Sequence, residues 1–191
     1  LLRPKGASGL LVTALSGFAD YQKGDAWTWE HQALVRARCV VGDEALAQQV
    51  SEIRSTVLAK NRPTESLIKD VSDMRAKMRG QLDKSTDQLF DLKQGVGGIT
   101  DIEFMVQYAV LAWSSNLPEL LVYTDNIRIL DALKVTGKLS EYDSDMMAGA
   151  YRFYRKLANR CVLQEQPAVV AIEEVAAYRT QVAAVWQRWL G

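Results

Sequence analysis

The residues with the clearest chemical potential lie in one stretch, where a glycine-rich segment precedes two carboxylates. In the string GVGGITDIEF, Gly95, Gly97 and Gly98 are followed by Asp101 and Glu103. Backbone amides of a glycine loop at a helix N-terminus can bind a phosphate group. The segment lacks the Lys-Ser/Thr of a P-loop and the spacing of a dinucleotide fingerprint. On spacing alone, a tight turn between a strand and a helix is therefore the favoured interpretation.

The two carboxylates stand in the first turn of a predicted helix, where the helix dipole stabilises negative charge. They could bind a metal or orient a basic side chain. Because Asp101 and Glu103 are two residues apart, they point in different directions, which argues against a shared metal. We expect Asp101 to bind a neighbouring loop or an arginine. Thr100 stands three residues before Glu103, the spacing of a capping box.

The helix that begins here is apolar on nearly every side. Only Glu103, Gln107 and Ser114 form a thin polar stripe along it. A helix this apolar is normally buried in the middle of its domain. Its polar stripe therefore faces either a satisfied hydrogen-bond network or a cleft.

Composition narrows the function classes. The 191 residues carry 23 basic and 23 acidic side chains, so no global field recruits nucleic acid or an acidic membrane. One histidine, His31, argues against a histidine zinc site or a Ser-His-Asp triad. The two cysteines, Cys39 and Cys161, lack CxxC spacing and indicate buried, reduced thiols. No apolar run is long enough to cross a bilayer. We expect a cytoplasmic protein without nucleic-acid or membrane partners.

Helical periodicity dominates from Ser16 onward and predicts an all-α, multi-helix bundle of about eight helices. Short strands are predicted only at 10–12 and 89–93. A helix over 27–41 is predicted to place Trp29 and Val40 on its buried face, and the simplest interpretation packs Trp27 in the core as well.

Two charged surfaces have open interpretations. The tryptophan-rich helix carries Glu30, His31, Arg36 and Arg38. These side chains form either a solvated face or a set that points at the glycine loop and a ligand. A second helix carries a basic stripe without a single acid: Arg152, Arg155, Lys156 and Arg160. Such a stripe is usually solvated surface and less often docks an acidic partner.

Three strings together carry a specific resemblance: LRPKGASGLLV, then AWTWEHQALVRAR closely followed by GD, then GGITDIEFMVQY. They resemble the second half of the bifunctional glutamine synthetase adenylyltransferase/adenylyl-removing enzyme family. The sequence of the second string is more similar to that of the C-terminal, adenylylating unit than to that of the N-terminal, adenylyl-removing unit. The resemblance covers nearly the whole chain, from Leu2 to the closing Trp186–Trp189.

The resemblance implies transfer of AMP from ATP to a tyrosine of glutamine synthetase, with paired carboxylates holding Mg²⁺. The family's Gly-Ser-Asp-x-Asp motif is absent here, and its third carboxylate would lie two residues before Leu1, which itself replaces the usual arginine. We therefore expect residues 1–15 to be the tail of a nucleotidyltransferase domain and 16–191 its C-terminal helical domain. Both predicted strands then read as remnants of the nucleotidyltransferase sheet. We expect no catalytic or metal-binding residue in this chain and no activity when it is isolated.

The resemblance also implies which residues lie near the cofactor. Five match the loop that leaves the third carboxylate strand, and four match the family's glycine motif: Arg3, Lys5, Gly6, Ser8, Gly9, Gly97, Gly98, Asp101 and Glu103. Mg²⁺ and ATP are expected in the full-length enzyme, and neither is expected to bind this fragment tightly. The expected partners are glutamine synthetase, the PII signal protein and the preceding nucleotidyltransferase domain, with the chain itself a monomer.

A different class of function stays open. The chain could be a helical regulatory module that receives the PII signal protein or glutamine and never approaches ATP. A polar stripe that opens beside residues 3–9 favours the shaping of an active-site cleft, whereas a stripe sealed in the core favours the module.

Overall fold

The structure, a computed structural model, describes residues 12–191 and confirms an all-α bundle in this part of the chain. Its eight helices are α1 Leu15–Gly24, α2 Thr28–Val35, α3 Glu44–Leu58, α4 Thr64–Leu82, α5 Ile99–Trp113, α6 Asn126–Val135, α7 Glu141–Leu163 and α8 Ile172–Leu190. A 3-10 turn spans Pro118–Leu121. None of these helices is both long and apolar enough to cross a membrane.

Helix α5 forms the centre of the bundle, as its apolar sequence predicts. It packs against α2, α4, α6, α7 and α8. Ile102, Met105, Val106 and Val110 are fully buried along it. Burying a side chain of this size contributes about 1.5–3 kcal/mol. The polar stripe of α5 is thereby carried into the middle of the bundle with its helix.

Two strands form a small antiparallel sheet, β1 (Leu89–Asp91) and β2 (Val169–Ala171). Leu89 pairs with Ala171 and Asp91 with Val169, so the glycine segment after β1 leaves from beside the start of α8. The sequence predicted β1 but missed β2, because three residues before a helix carry too little periodicity. Leu10 and Leu11 of the other predicted strand, and most of the predicted 1–15 segment, lie outside the described residues.

Helix α2 differs from its prediction in both length and orientation. It ends at Val35 rather than Val41. Trp27 is 69% exposed and Trp29 41% exposed, so the expectation that both pack in the core is wrong. Glu30 and Gln32 are buried instead, where the Glu30 carboxylate accepts from the Trp27 amide and the Gln32 side-chain nitrogen donates to Gln107. Cys161 is buried as expected, whereas Cys39, in the segment after α2, is exposed.

Candidate junction of two sequence motifs

The glycine segment is a tight turn whose backbone touches neighbouring chain. Gly97 has φ +83°, a conformation that side chains disfavour. A Cβ there would lie 2.3 Å from the carbonyl oxygen of Arg179 in α8. At Gly98, a Cβ would lie 2.9 Å from the carbonyl oxygens of Gly95 and Leu92. Close packing therefore explains both glycines.

The amides of this segment are already used inside the protein. Those of Gly95, Gly98, Ile99 and Thr100 donate to backbone carbonyls at 2.9–3.1 Å, and that of Gly97 donates to the Asp101 carboxylate at 2.7 Å. A phosphate cradle needs several free amides that converge on one point. The observed geometry is that of the tight strand-to-helix turn.

Asp101 anchors this turn through a buried ionic network. Its Oδ1 accepts from Arg75 Nε at 2.6 Å and from Arg79 Nη2 at 2.8 Å, and both arginines lie on α4. Arg75 also donates to the side chain and the carbonyl of Gln94, and it is fully buried. Burial lowers the pKa of the Arg75 guanidinium, while Asp101 opposes that effect. The network confirms that Asp101 binds both an arginine and the neighbouring loop.

The predicted capping box between Thr100 and Glu103 is wrong. Helix α5 begins at Ile99 with Gly98 at the N-cap position, so Thr100 already lies inside the first turn. The Thr100 hydroxyl has no hydrogen-bond partner within the described residues. The carboxylate that accepts a hydrogen bond from the backbone before the helix is that of Asp101, and its donor is the Gly97 amide.

Glu103 points away from the turn and joins three other helices. Its Oε1 accepts from Arg36 at the end of α2 (3.2 Å), from the Tyr151 hydroxyl on α7 (3.0 Å) and from Asn126 Nδ2 on α6 (3.5 Å). Its side chain is 22% exposed and that of Arg36 is 40% exposed. Burial, followed by the charge of Glu103, raises the pKa of the Tyr151 hydroxyl. The hydroxyl therefore stays protonated and donates a hydrogen bond to Glu103. We call this group, Arg36, Glu103, Asn126 and Tyr151, the four-helix junction.

The rest of the polar stripe also finds partners in the bundle. Gln107 accepts from Gln32 of α2 at 3.2 Å, and Ser114 donates to the Leu58 carbonyl of α3 at 3.0 Å. The stripe is sealed at Ser114 and reaches the surface at Glu103. Its position relative to residues 3–9 falls outside the described part of the chain, so the comparison of cleft and module stays open.

The start of α2 is fixed by two buried polar side chains. Glu30 accepts from the Trp27 amide at 3.0 Å and from the Tyr21 hydroxyl at 2.8 Å. His31 lies 2.9 Å from the Gln22 carbonyl and 3.3 Å from Arg62 Nη2. Burial, with a smaller contribution from Arg62, lowers the pKa of His31. Of the four charged residues predicted to face the solvent or a ligand, these two are therefore buried.

The predicted cofactor residues fall into three groups. Gly97, Gly98 and Asp101 are buried beneath α4 and α8, whereas Glu103 reaches the surface. The remaining five, Arg3, Lys5, Gly6, Ser8 and Gly9, lie outside the described residues. The cofactor role of all nine stays a prediction.

Sequence reasoning named Arg36 but missed the other side chains that hold the two carboxylates. Arg75 follows Leu67 and Val71 at four-residue spacing, so its place on the buried face of α4 was visible. Arg79 stands one turn further on, which lets both arginines meet one carboxylate. Tyr151 had no such signal, because its contact with Glu103 depends on how α7 crosses α5.

Comparison with known proteins identifies relatives over nearly the whole chain. The family model of glutamate-ammonia ligase adenylyltransferase matches residues 1–53, and that of GlnD PII-uridylyltransferase matches residues 69–168. Bifunctional glutamine synthetase adenylyltransferase/adenylyl-removing enzymes are similar: that of Pseudomonas syringae pv. tomato is 48% identical over 97% of this chain. Those of Nitrosococcus oceani and Thioalkalivibrio sulfidiphilus are each 51% identical over 98% of it. The chain covers 19–20% of the length of these three relatives.

Proposed function

Because the chain belongs to the family of bifunctional glutamine synthetase adenylyltransferase/adenylyl-removing enzymes, we propose that it is the C-terminal helical domain of such an enzyme. The full enzyme would transfer AMP from ATP to a tyrosine of glutamine synthetase in the cytoplasm. In this proposal residues 16–191 shape one wall of the active-site cleft beside the preceding nucleotidyltransferase domain. The four-helix junction contributes the surface of that wall.

One observation carries the proposal: the two helical motifs behind the family resemblance meet in an ion pair that reaches the surface. Arg36 comes from AWTWEHQALVRAR and Glu103 from GGITDIEFMVQY, 67 residues later, and they lie 3.2 Å apart. The pair is partly open to solvent, so packing alone does not explain its placement. Exposed ion pairs contribute only about 0–1 kcal/mol to stability. A contact of this kind serves the arrangement of a surface better than the stability of the core.

The buried network around Asp101 supports the same role from below. It fixes the first turn of α5 against α4 and so sets the direction in which Glu103 leaves the helix. Asp101 acts in this proposal as a positioning residue that never touches the substrate. The same holds for Gly97, which allows α8 to approach the turn, and for Gly98, which lets the turn pack against its own carbonyls of Leu92 and Gly95.

Two observations support a magnesium site outside the described residues. Within 12–191 no three His, Cys, Asp or Glu side chains come close enough to share a metal ion. Asp101 is already bound by two guanidinium groups. We assign Mg²⁺ and ATP to the nucleotidyltransferase domain, with Arg3, Lys5, Gly6, Ser8 and Gly9 on the loop that joins it to the helices. The isolated chain should therefore transfer no label from radioactive ATP to glutamine synthetase; transfer above background would contradict this assignment.

A second candidate function is a regulatory module that receives the PII signal protein. It is favoured by the match of residues 69–168 to the PII-uridylyltransferase model, since that family is named for a reaction on PII. Under this alternative, variants of the junction would change the response of the full enzyme to PII and leave its basal transfer rate intact.

The test compares two ion pairs of similar length in the full-length enzyme. Glu103→Gln removes the junction carboxylate, and Glu174→Gln removes the partner of Arg160 at 3.3 Å on the surface of α7 and α8. We expect Glu103→Gln to slow AMP transfer at least about tenfold, equivalent to roughly 1.4 kcal/mol, while Glu174→Gln leaves it unchanged. Equal rates in both variants and the wild type, without PII, would refute the cleft role and favour the module.

A further inference from the structure

A cavity separate from the four-helix junction lies between the segment after α2, one face of α3 and the start of α6. Its volume is about 360 Å³, within the range of roughly 300–1,000 Å³ typical of small-molecule sites. The argument depends on six of its lining residues: Arg38, Cys39, Ser51, Arg54, Thr124 and Arg128. None of the cavity's lining residues is acidic.

Arg54 is a buried cation without a carboxylate partner. The residue is 6% exposed, and no acidic side chain within residues 12–191 lies within ion-pair distance of it. Residues 1–11 contain no aspartate or glutamate that could supply one. Its guanidinium instead donates to four backbone carbonyls, those of Leu34, Val35, Leu121 and Tyr123, at 2.7–3.4 Å.

These carbonyls satisfy the hydrogen bonds of Arg54, and those of Leu34 and Val35 carry the partial negative charge of the α2 C-terminus, but no carboxylate balances its full charge. An unpaired buried charge is costly, which is why most buried ions in proteins are paired. Burial accordingly lowers the pKa of Arg54. The site would gain stability from an anion that enters the cavity.

Two further arginines line the same cavity. Arg38 is exposed, and no carboxylate in the described part of the chain pairs with it. Arg128 binds Asp125 and lies over the ring of Tyr123 at 4.6 Å. Three positive charges are thus opposed by one negative charge. The hydroxyls of Ser51 and Thr124 add donors that a bound oxyanion requires.

We propose that this cavity binds a phosphate or diphosphate group, either as the free anion or as part of a nucleotide. Guanidinium groups bind such oxyanions through paired, charge-assisted hydrogen bonds. The site would lie at the end of α2 opposite the Trp27 and Glu30 contacts. A bound anion would join the segment after α2 to α3 and α6.

The chain contains its own reporter for this site. Cys39 lines the cavity and is exposed, whereas the other cysteine, Cys161, is buried. Iodoacetamide labelling followed by mass spectrometry would therefore report occupancy at Cys39. At a concentration of diphosphate ten times its Kd, we expect labelling to slow roughly tenfold, with sodium chloride at equal ionic strength giving no such protection.

Binding itself is measured by calorimetry with inorganic phosphate, diphosphate, and ATP in the presence of EDTA. Arg38→Gln should raise the Kd of whichever ligand binds by about 10–100-fold. Arg152→Gln removes an exposed arginine on α7 and should leave that Kd unchanged. Arg38 makes no side-chain hydrogen bond within the described residues, so its variant keeps the fold even where Arg54→Met does not. Tighter binding of ATP than of diphosphate would identify a nucleotide, and the reverse would identify the free anion. Binding of none of the three, or equal weakening by Arg152→Gln, would overturn the proposal.

Discussion

Asp101 and Glu103 stand two residues apart on α5 and have opposite environments. The side chain of Asp101 is 1% exposed and binds two arginines and a backbone amide. That of Glu103 is 22% exposed and binds one arginine together with two neutral side chains, Tyr151 and Asn126. The difference teaches that neighbouring carboxylates of one motif have separate roles. Asp101 organises the core, and Glu103 arranges a surface.

The comparison predicts its largest stability loss at Asp101. Asp101→Asn leaves the fully buried Arg75 without a counter-charge, and breaking such a buried pair costs about 3–5 kcal/mol. Asp73→Asn is the matched control, since its partner Lys69 is exposed and such pairs contribute about 0–1 kcal/mol. Urea unfolding measures both. A loss below about 1 kcal/mol at Asp101 would remove the distinction between the two carboxylates.

A smaller loss is expected at the turn that Asp101 holds. Gly97→Ala meets both a positive φ and the Arg179 carbonyl at 2.3 Å. Gly137→Ala meets a φ of +70° but open space around its Cβ. The control should cost about 1 kcal/mol, and Gly97→Ala clearly more because α8 must shift. Equal thermal unfolding midpoints for the two variants would show that the turn is not clamped by α8.

The smallest effect on stability is expected at His31 in α2, the helix that carries Arg36 to Glu103. His31 anchors α2, and burial lowers its pKa below the ordinary value of 6.5. The unfolded chain therefore takes up a proton before the folded one, so stability should fall as the pH drops from about 6.5 towards the folded-state pKa. The chain has no second histidine. His31→Gln should flatten the dependence of the unfolding midpoint on pH below about pH 6.5; an unchanged slope there would contradict this origin.

Sequence alone predicted the α-helical fold because the periodicity of eight helices is strong. It also predicted the central position of α5, since an apolar helix has no stable place at the surface. It failed where burial depends on a partner helix. Trp29 was assigned to the core on hydrophobicity, but the place facing α5 is occupied by Gln32, which bonds Gln107. The polar stripe of α5 thus determines which face of α2 is buried.

The candidate site was predictable in its residues but less so in its geometry. Glu103 was named as a candidate binding residue, and the sharper of two interpretations of the α2 charges, Arg36 among them, turned some of them towards the glycine motif. Their pairing could not be derived, because a contact across 67 residues depends on the packing of α2 on α5. The predicted capping box failed because one glycine shifts the helix start, so that Asp101 rather than Glu103 reaches back.

The most direct test of the central claim is a double-mutant cycle on AMP transfer by the full-length enzyme. Arg36→Gln, Glu103→Gln and the double variant are compared with the wild type by kcat/KM, with the unfolding midpoint measured on the same samples. If the pair acts as one unit in shaping the cleft, each single variant loses about tenfold and the double variant loses no more. Losses that multiply to about 100-fold, or that follow the folded fraction of each sample, would contradict the account.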